Sequence, residues 1–258
     1  MKNTILSEKD TKLIEAIILR YGRIVSTTDL LSLFSSEYNL ASSYNRIQFL
    51  AKTGWLKRIR NGLYIVNDSI SGRFQNELSL IAISHALQPE SYISLAYALY
   101  YHQMFDQLTK TVVAITSKES KKYLFDDYTM KFTKVKGDLF FGFEEKNESG
   151  YDVNVAEVEK AFIDYLYLDK SFSSASLVFE KLQAFKKDID FKKLQQYASR
   201  IGITMVRKIG FLLDQLEMDT HKLYAGIHNN NMGFSKFTAD SKRFNAKWRI
   251  YYDDKIIG

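Results

Sequence analysis

The chain has no cysteine. Disulfides and thiolate metal sites are thereby excluded, and a reducing compartment fits. One proline, Pro89, and 12 glycines in 258 residues leave little punctuation, which favours helices and compact joins over long loops. No apolar run approaches the roughly 20 residues that span a bilayer. The opening stretch, Met1 to Ala16, lacks the apolar core and small-residue cleavage site of a signal peptide. The expectation is a soluble cytoplasmic protein with no membrane contact. The four histidines, His85, His102, His221 and His228, fall in no metal-ligand spacing. There is no GxGxxG, no Walker A sequence and no GxSxG elbow. The chain therefore reads as a non-enzyme that holds no metal or cofactor.

What is present is core material and unevenly placed charge. Apolar residues make up 46% and aromatics 14%, enough for one large domain or two ordinary ones. The net charge is +6. Residues 1–66 carry ten Lys/Arg and five Asp/Glu, a net of +5, whereas residues 67–258 carry 26 and 25. Such concentration of charge at one end is an electrostatic footprint for nucleic acid.

The basic segment reads as three short helices and a hairpin. Ser7 with Asp10 forms an N-cap pattern, Leu13, Ile14, Ile17, Ile18 and Tyr21 follow at helical spacing, and Gly22 stops the helix. Residues 23–26 read as a short strand, and Thr27 or Thr28 can cap a second helix that buries Leu30, Leu31 and Phe34. The spacing predicts a third helix over 40–53 with Leu40, Ser43, Tyr44, Ile47, Leu50 and Ala51 inward. Ser42, Asn45, Phe49 and Lys52 lie opposite, with Arg46 and Gln48 at the flanks. Hydroxyl, amide and guanidinium groups suit base edges in a major groove, and an ammonium suits phosphate. If Arg46 reads a base, Arg46→Ala costs about 1–3 kcal/mol on the cognate DNA. Residues 55–66 form a hairpin around Asn61-Gly62, the dipeptide that suits a type I′ turn with positive φ at both positions. Lys57, Arg58, Arg60 and Asn61 beside that turn complete the candidate interface. The expected fold is α+β: a winged helix-turn-helix over 1–66, a linker over 67–76, and a mixed α/β domain over 77–258 with a small sheet and several helices.

Within the larger part, residues 77–87 read as a helix, and Ser94 as the cap of a helix over 95–102. Strands are expected at 111–116, 128–135 and 139–143, with 153–155 offering a fourth. Residues 156–168, 174–185, 191–201 and 204–216 have helical patterns. The aromatics Phe234, Phe237, Phe244, Trp248, Tyr251 and Tyr252 suggest strands packed on the body. Lys160 and Asp164 are spaced as an exposed i,i+4 pair, and Glu157 and Glu159 suit a helix N-terminal end. Glu144, Glu145 and Glu148 read as a solvated acidic loop, with a partner-binding patch as the alternative. Tyr97, Tyr100, Tyr101 and His102 read as core, with a partner-facing aromatic patch as the alternative.

Several segments, taken in order, resemble the AbiEi antitoxins of type IV toxin–antitoxin (abortive infection) systems. They are Gly62-Leu63-Tyr64-Ile65, residues 92–99 (YISLAYAL), 111–116 (TVVAIT), 140–143 (FFGF), 155–164 (VAEVEKAFID) and 245–250 (NAKWRI). The resemblance covers most of the chain. It implies two jobs: repression of the protein's own operon by a winged helix on inverted promoter repeats, and neutralisation of a cognate nucleotidyltransferase-like toxin by the C-terminal domain. The resemblance also implies that the C-terminal domain helps cooperative DNA binding, and the sequence leaves open whether the chain dimerises off DNA. Two other readings of the residues stand beside it: a ligand-responsive winged-helix repressor, and a subunit of a nucleic-acid-processing system.

Overall fold

A computed structural model describes residues 6–67, 78–107, 109–228 and 233–257. The expected linker, apart from Asn67, lies outside these residues, as does the stretch 229–232. Among the described residues no helix is long and apolar enough to cross a membrane.

The first body follows its local signals closely. Helix α1 (Glu8–Tyr21) starts where Ser7 Oγ accepts the Asp10 amide, and ends at Gly22 with φ 77°. Strand β1 (Ile24–Ser26) leads into α2 (Thr27–Phe34). Ser26, rather than either threonine, caps α2, in a reciprocal box with Asp29 that satisfies two otherwise orphaned donors. Helix α3 (Leu40–Lys52) is capped by Asn39. Strands β2 (Leu56–Arg60) and β3 (Leu63–Val66) complete an antiparallel sheet ordered β1-β3-β2. The hairpin departs from the type I′ expectation. Gly62 has φ 76° but Asn61 is not at positive φ. A register shift between Arg58 and Arg60 absorbs the difference, as a bulge does when one strand carries an extra residue.

The second body is built on a six-stranded mixed sheet ordered β6-β7-β5-β4-β9-β8. Its strands are β4 (Ser91–Ile93), β5 (Thr111–Thr116), β6 (Lys121–Phe125), β7 (Tyr128–Lys134), β8 (Phe143–Glu148) and β9 (Tyr151–Ala156). Two sequence expectations are corrected here. Residues 139–143 are not a strand: a 3-10 turn at Gly137–Leu139 precedes an irregular stretch. The acidic stretch 144–148 is not a loop but strand β8, paired with β9 across a turn at Ser149-Gly150 where both φ values are positive. Before and within the sheet run α4 (Leu80–Leu87) and α5 (Leu95–Tyr101). After it come α6 (Val158–Leu168), α7 (Phe172–Ala184), α8 (Phe191–Ile201), α9 (Ile203–Gln215) and α10 (His221–His228), the last not anticipated. A three-stranded sheet of β10 (Ser235–Lys236), β11 (Arg243–Asn245) and β12 (Ile250–Tyr252) closes the chain, as the tail aromatics suggested.

The hairpin joins the two bodies. Leu56, Tyr64 and Val66 belong to a core with Leu13, Ile17, Leu30, Phe34, Ile47 and Leu50. Ile59, Leu63 and Ile65 belong to the larger core of the second body. Alternation along β3 therefore sends successive side chains into different cores, and all four of its residues are buried. Tyr151 Oη accepts the backbone N–H groups of Arg23 (2.6 Å) and Ile24 (2.8 Å), and Lys57 pairs with Asp126 at the β6–β7 turn.

Helix α9 runs through the C-terminal core. At Gly210 a Cβ would lie 2.2 Å from the Trp248 ring, so only glycine permits this approach. Lys208, two residues earlier and also buried, donates to the Leu166 carbonyl near the end of α6 (3.0 Å). Burial pushes its ammonium down to about 8, helped by Lys170. Between pH 8 and the ordinary lysine value the unfolded chain binds more protons than the folded one, so stability rises with pH across that window. We expect a gain of about 3 kcal/mol from pH 7 to 10.5. Thermal melts of Lys208→Met should lose that rise; an unchanged slope would assign it to other groups.

Candidate nucleic-acid interface

Helix α3 sets the geometry. Its buried residues are Ser43, Ile47 and Leu50, one narrow stripe against α2 and β2. Leu40 and Tyr44, expected inward, are 65% and 46% exposed. The stripe is narrow because α3 meets only the edge of a small three-helix core, and the hairpin covers its other end. The solvent face therefore carries Leu40, Ala41, Tyr44, Asn45, Gln48, Phe49 and Lys52. No acidic residue lies on α3 or the hairpin. Asn45, Gln48 and Lys52 sit on that face as the spacing predicted. Ser42 is half-buried, its backbone N–H held by the Asn39 side chain at 2.9 Å. Tyr44 and Leu40 were missed as surface residues because apolar side chains at helical spacing look inward from sequence alone.

Arg46 is not where the sequence reading put it. Its guanidinium forms a two-pronged pair with Asp10, Nε to Oδ1 at 2.6 Å and Nη2 to Oδ2. It also lies over the Phe49 ring at 4.5 Å. The Asp10 side chain is only 2% exposed and receives the Ser7 hydroxyl at 2.5 Å. A carboxylate taken out of water needs a close positive charge, and Arg46 supplies it. Nothing in the local sequence linked the two residues, which lie 36 positions apart.

The hairpin residues divide likewise. Arg58, Arg60 and Asn61 are exposed. Arg58 leans on Tyr64, 5.7 Å from guanidinium to ring, and Arg60 Nη1 donates to the Asn61 carbonyl at 3.2 Å. Lys57 instead turns towards the second body, paired with Asp126 and 4.5 Å from the Phe125 ring. The strand period sends Lys57 to the face opposite Arg58. That face is the one the sheet covers.

The carboxylates of α6 form a second polar cluster, and it is buried. Lys160 and Asp164, read from sequence as an exposed pair, are 1% and 3% exposed. Lys160 Nζ is bound to Asp164 and donates to the Tyr92 hydroxyl at 2.7 Å. Ser94 Oγ donates to Asp164 at 2.8 Å and Tyr92 Oη at 3.2 Å. Ser94 thus makes no side-chain cap for α5; its hydroxyl is committed to Asp164. Burial raises the Asp164 carboxyl and lowers the Lys160 ammonium from their ordinary values. Nearer the surface, Glu157 accepts from Tyr197 and from Lys193, while Glu159 accepts the Asp190 N–H at 2.8 Å. The cluster ties α6 to β4 and α8. Among the described residues no group of three or more His, Asp or Glu is placed to hold a metal ion.

Of the aromatic residues on α5, Tyr97 is buried, whereas Tyr100 is 45% exposed. His102 Nε2 lies 2.8 Å from the Ala156 carbonyl, which joins α5 to the end of β9.

No family model and no curated protein matches the chain. Among solved structures, the chain is similar to the RV2827C protein from Mycobacterium tuberculosis, with a TM-score of 0.71 at 11% identity, covering 98% of this chain and 94% of that one. At that identity the likeness shows a shared fold across nearly the whole length.

Proposed function

We propose that residues 1–66 are a winged helix-turn-helix that binds double-stranded DNA, and that the protein is an autorepressing antitoxin of the kind its sequence resembles. The observation that carries the DNA reading is the solvent face of α3. It offers Asn45, Gln48 and Lys52 with no acid, and Arg58, Arg60 and Asn61 extend it at the hairpin tip. Asn and Gln amides match adenine edges in a major groove. Lys52, Arg58 and Arg60 match the phosphates that fix register and supply most of the affinity. Lys57 contributes little, because Asp126 already neutralises it. The toxin-neutralising role rests on the ordered sequence segments alone, as does the expectation of inverted repeats in the operon's promoter.

The test is a gel shift on the DNA just upstream of the protein's own gene, against scrambled competitor, over a salt series. A specific, salt-sensitive shift in two steps is expected. Arg60→Ala should lower the slope of log affinity against log salt by about one unit. Lys57→Ala should leave that slope nearly unchanged. Absence of a specific shift would remove the DNA reading. Failure to rescue cells expressing the neighbouring toxin gene would remove the antitoxin reading alone.

A further inference from the structure

Among the described residues, Arg207 is a buried cation with no anionic partner. It lies in the second turn of α9 and is 2% exposed. Helical side chains lean towards the helix N-terminus, and its Nη1 accordingly reaches Ser235 Oγ at 3.3 Å. That hydroxyl in turn donates to Thr204 Oγ1 in the first turn, also at 3.3 Å. Nε and Nη2 are buried and have no hydrogen-bond partner among the described residues. Those two atoms form the side edge of the guanidinium, whose parallel N–H groups suit two oxygens of one carboxylate or phosphate. Among the described residues, the charged neighbour acting on Arg207 is another cation, Arg249, and together with burial it lowers the Arg207 value.

The surroundings add positive potential. Helix α9 begins at Gly202 with no side-chain cap; the Met205 N–H donates to the Gly202 carbonyl at 3.0 Å, so the positive end of the helix dipole and the N–H groups of Ile203 and Thr204 lie at this end. Ile203 and Thr204 are exposed at that end of the helix. Arg249 is held at its edge by Nε donating to the Gly233 carbonyl at 2.9 Å. A neutral water could satisfy the donors but could not offset two guanidinium charges. An unpaired buried ion is far more costly than an unpaired dipole.

We propose that the start of α9, with Arg207, Arg249, Thr204 and Ser235, is an oxyanion site that takes a phosphate group, either as the free ion or as the phosphate end of a small nucleotide. Arg207 grips two oxygens through Nε and Nη2, the helix N-terminus receives a third, and Arg249 balances the second negative charge. The site lies in the second body, away from α3 and the hairpin, and does not rest on the DNA reading.

The test is a thermal melt of the full chain in inorganic phosphate against chloride at matched ionic strength. At a hundredfold excess over Kd, phosphate should raise Tm by about 5 °C or more. Arg207→Met should melt normally in chloride and lose the phosphate response. Should that variant fail to fold, Arg249→Gln keeps the buried guanidinium and should weaken phosphate binding about tenfold by calorimetry. Adenosine monophosphate in place of phosphate separates the two sources: an equal shift admits the nucleotide, and no shift restricts the site to the free ion. An identical Tm of the unaltered chain in phosphate and chloride would overturn the proposal, as would a phosphate shift that survives in Arg207→Met.

Discussion

Arg46→Ala is expected to unfold the first body more readily. The reason is Asp10, whose side chain is 2% exposed. With the guanidinium gone, the carboxylate keeps the Ser7 hydroxyl and its cap geometry, but no cation. Breaking a buried pair from one side leaves an uncompensated charge, and the loss is about 3 kcal/mol, at the low end of the range because Arg46 itself is partly exposed. In a chain of this length that is a fall of about 10 °C in Tm. The double variant Asp10→Leu/Arg46→Met should recover most of the loss, since it removes both charges together. Thermal melts of the three variants decide the matter. An unchanged Tm for Arg46→Ala, with a sequence-specific loss of DNA affinity, would mean that Arg46 leaves Asp10 to read a base.

Asp164→Ala is expected to be the more damaging change. Asp164 is the anionic partner of Lys160, and their side chains are 4% and 2% exposed. The variant strands an ammonium between the rings of Tyr92 and Phe141, 5.2 and 5.1 Å away, and also frees the hydroxyls of Ser94 and Tyr92. The expected loss is about 4–5 kcal/mol at pH 7. Burial lowers the Lys160 ammonium, and losing its carboxylate lowers it further. The folded variant then binds fewer protons than the unfolded chain up to the ordinary lysine value, so its deficit shrinks as pH rises. Lys160→Met should cost less, because Asp164 retains two hydroxyl donors and can take up a proton. Denaturant melts at pH 7 and pH 9.5 test both statements. A deficit of under about 1 kcal/mol for Asp164→Ala, or one independent of pH, would show that water reaches the pair.

The candidate interface was partly legible. Asn45, Gln48, Lys52, Arg58, Arg60 and Asn61 are exposed as expected because each is polar and lies at the right phase of its own helix or hairpin. Arg46 and Lys57 were misplaced because their partners, Asp10 and Asp126, are 36 and 69 positions distant. A charge's availability depends on those partners and not on its spacing. Leu40 and Tyr44 were misplaced because apolar character predicts burial only when another element is there to cover it.

By itself the sequence determined what local chemistry controls. The cap at Ser7, the stop at Gly22, and the hydrophobic period of α1, α8 and α9 are written within a few residues, so those elements stand where the pattern put them. It also determined where the charge excess lies. Tertiary structure decided what pairs with what. The mixed sheet joins β4, β5, β7 and β9 from segments far apart in the chain, and β8 was invisible because its acidic side chains mask a strand defined by backbone pairing with β9. The burial of Lys160 and Asp164 could not be read from an i,i+4 spacing that is equally common on solvent faces. Their fate follows from β4 and α8 closing over α6. Long-range packing fixes the dielectric around a charge, and the dielectric decides whether that charge contacts a partner molecule or holds the fold together.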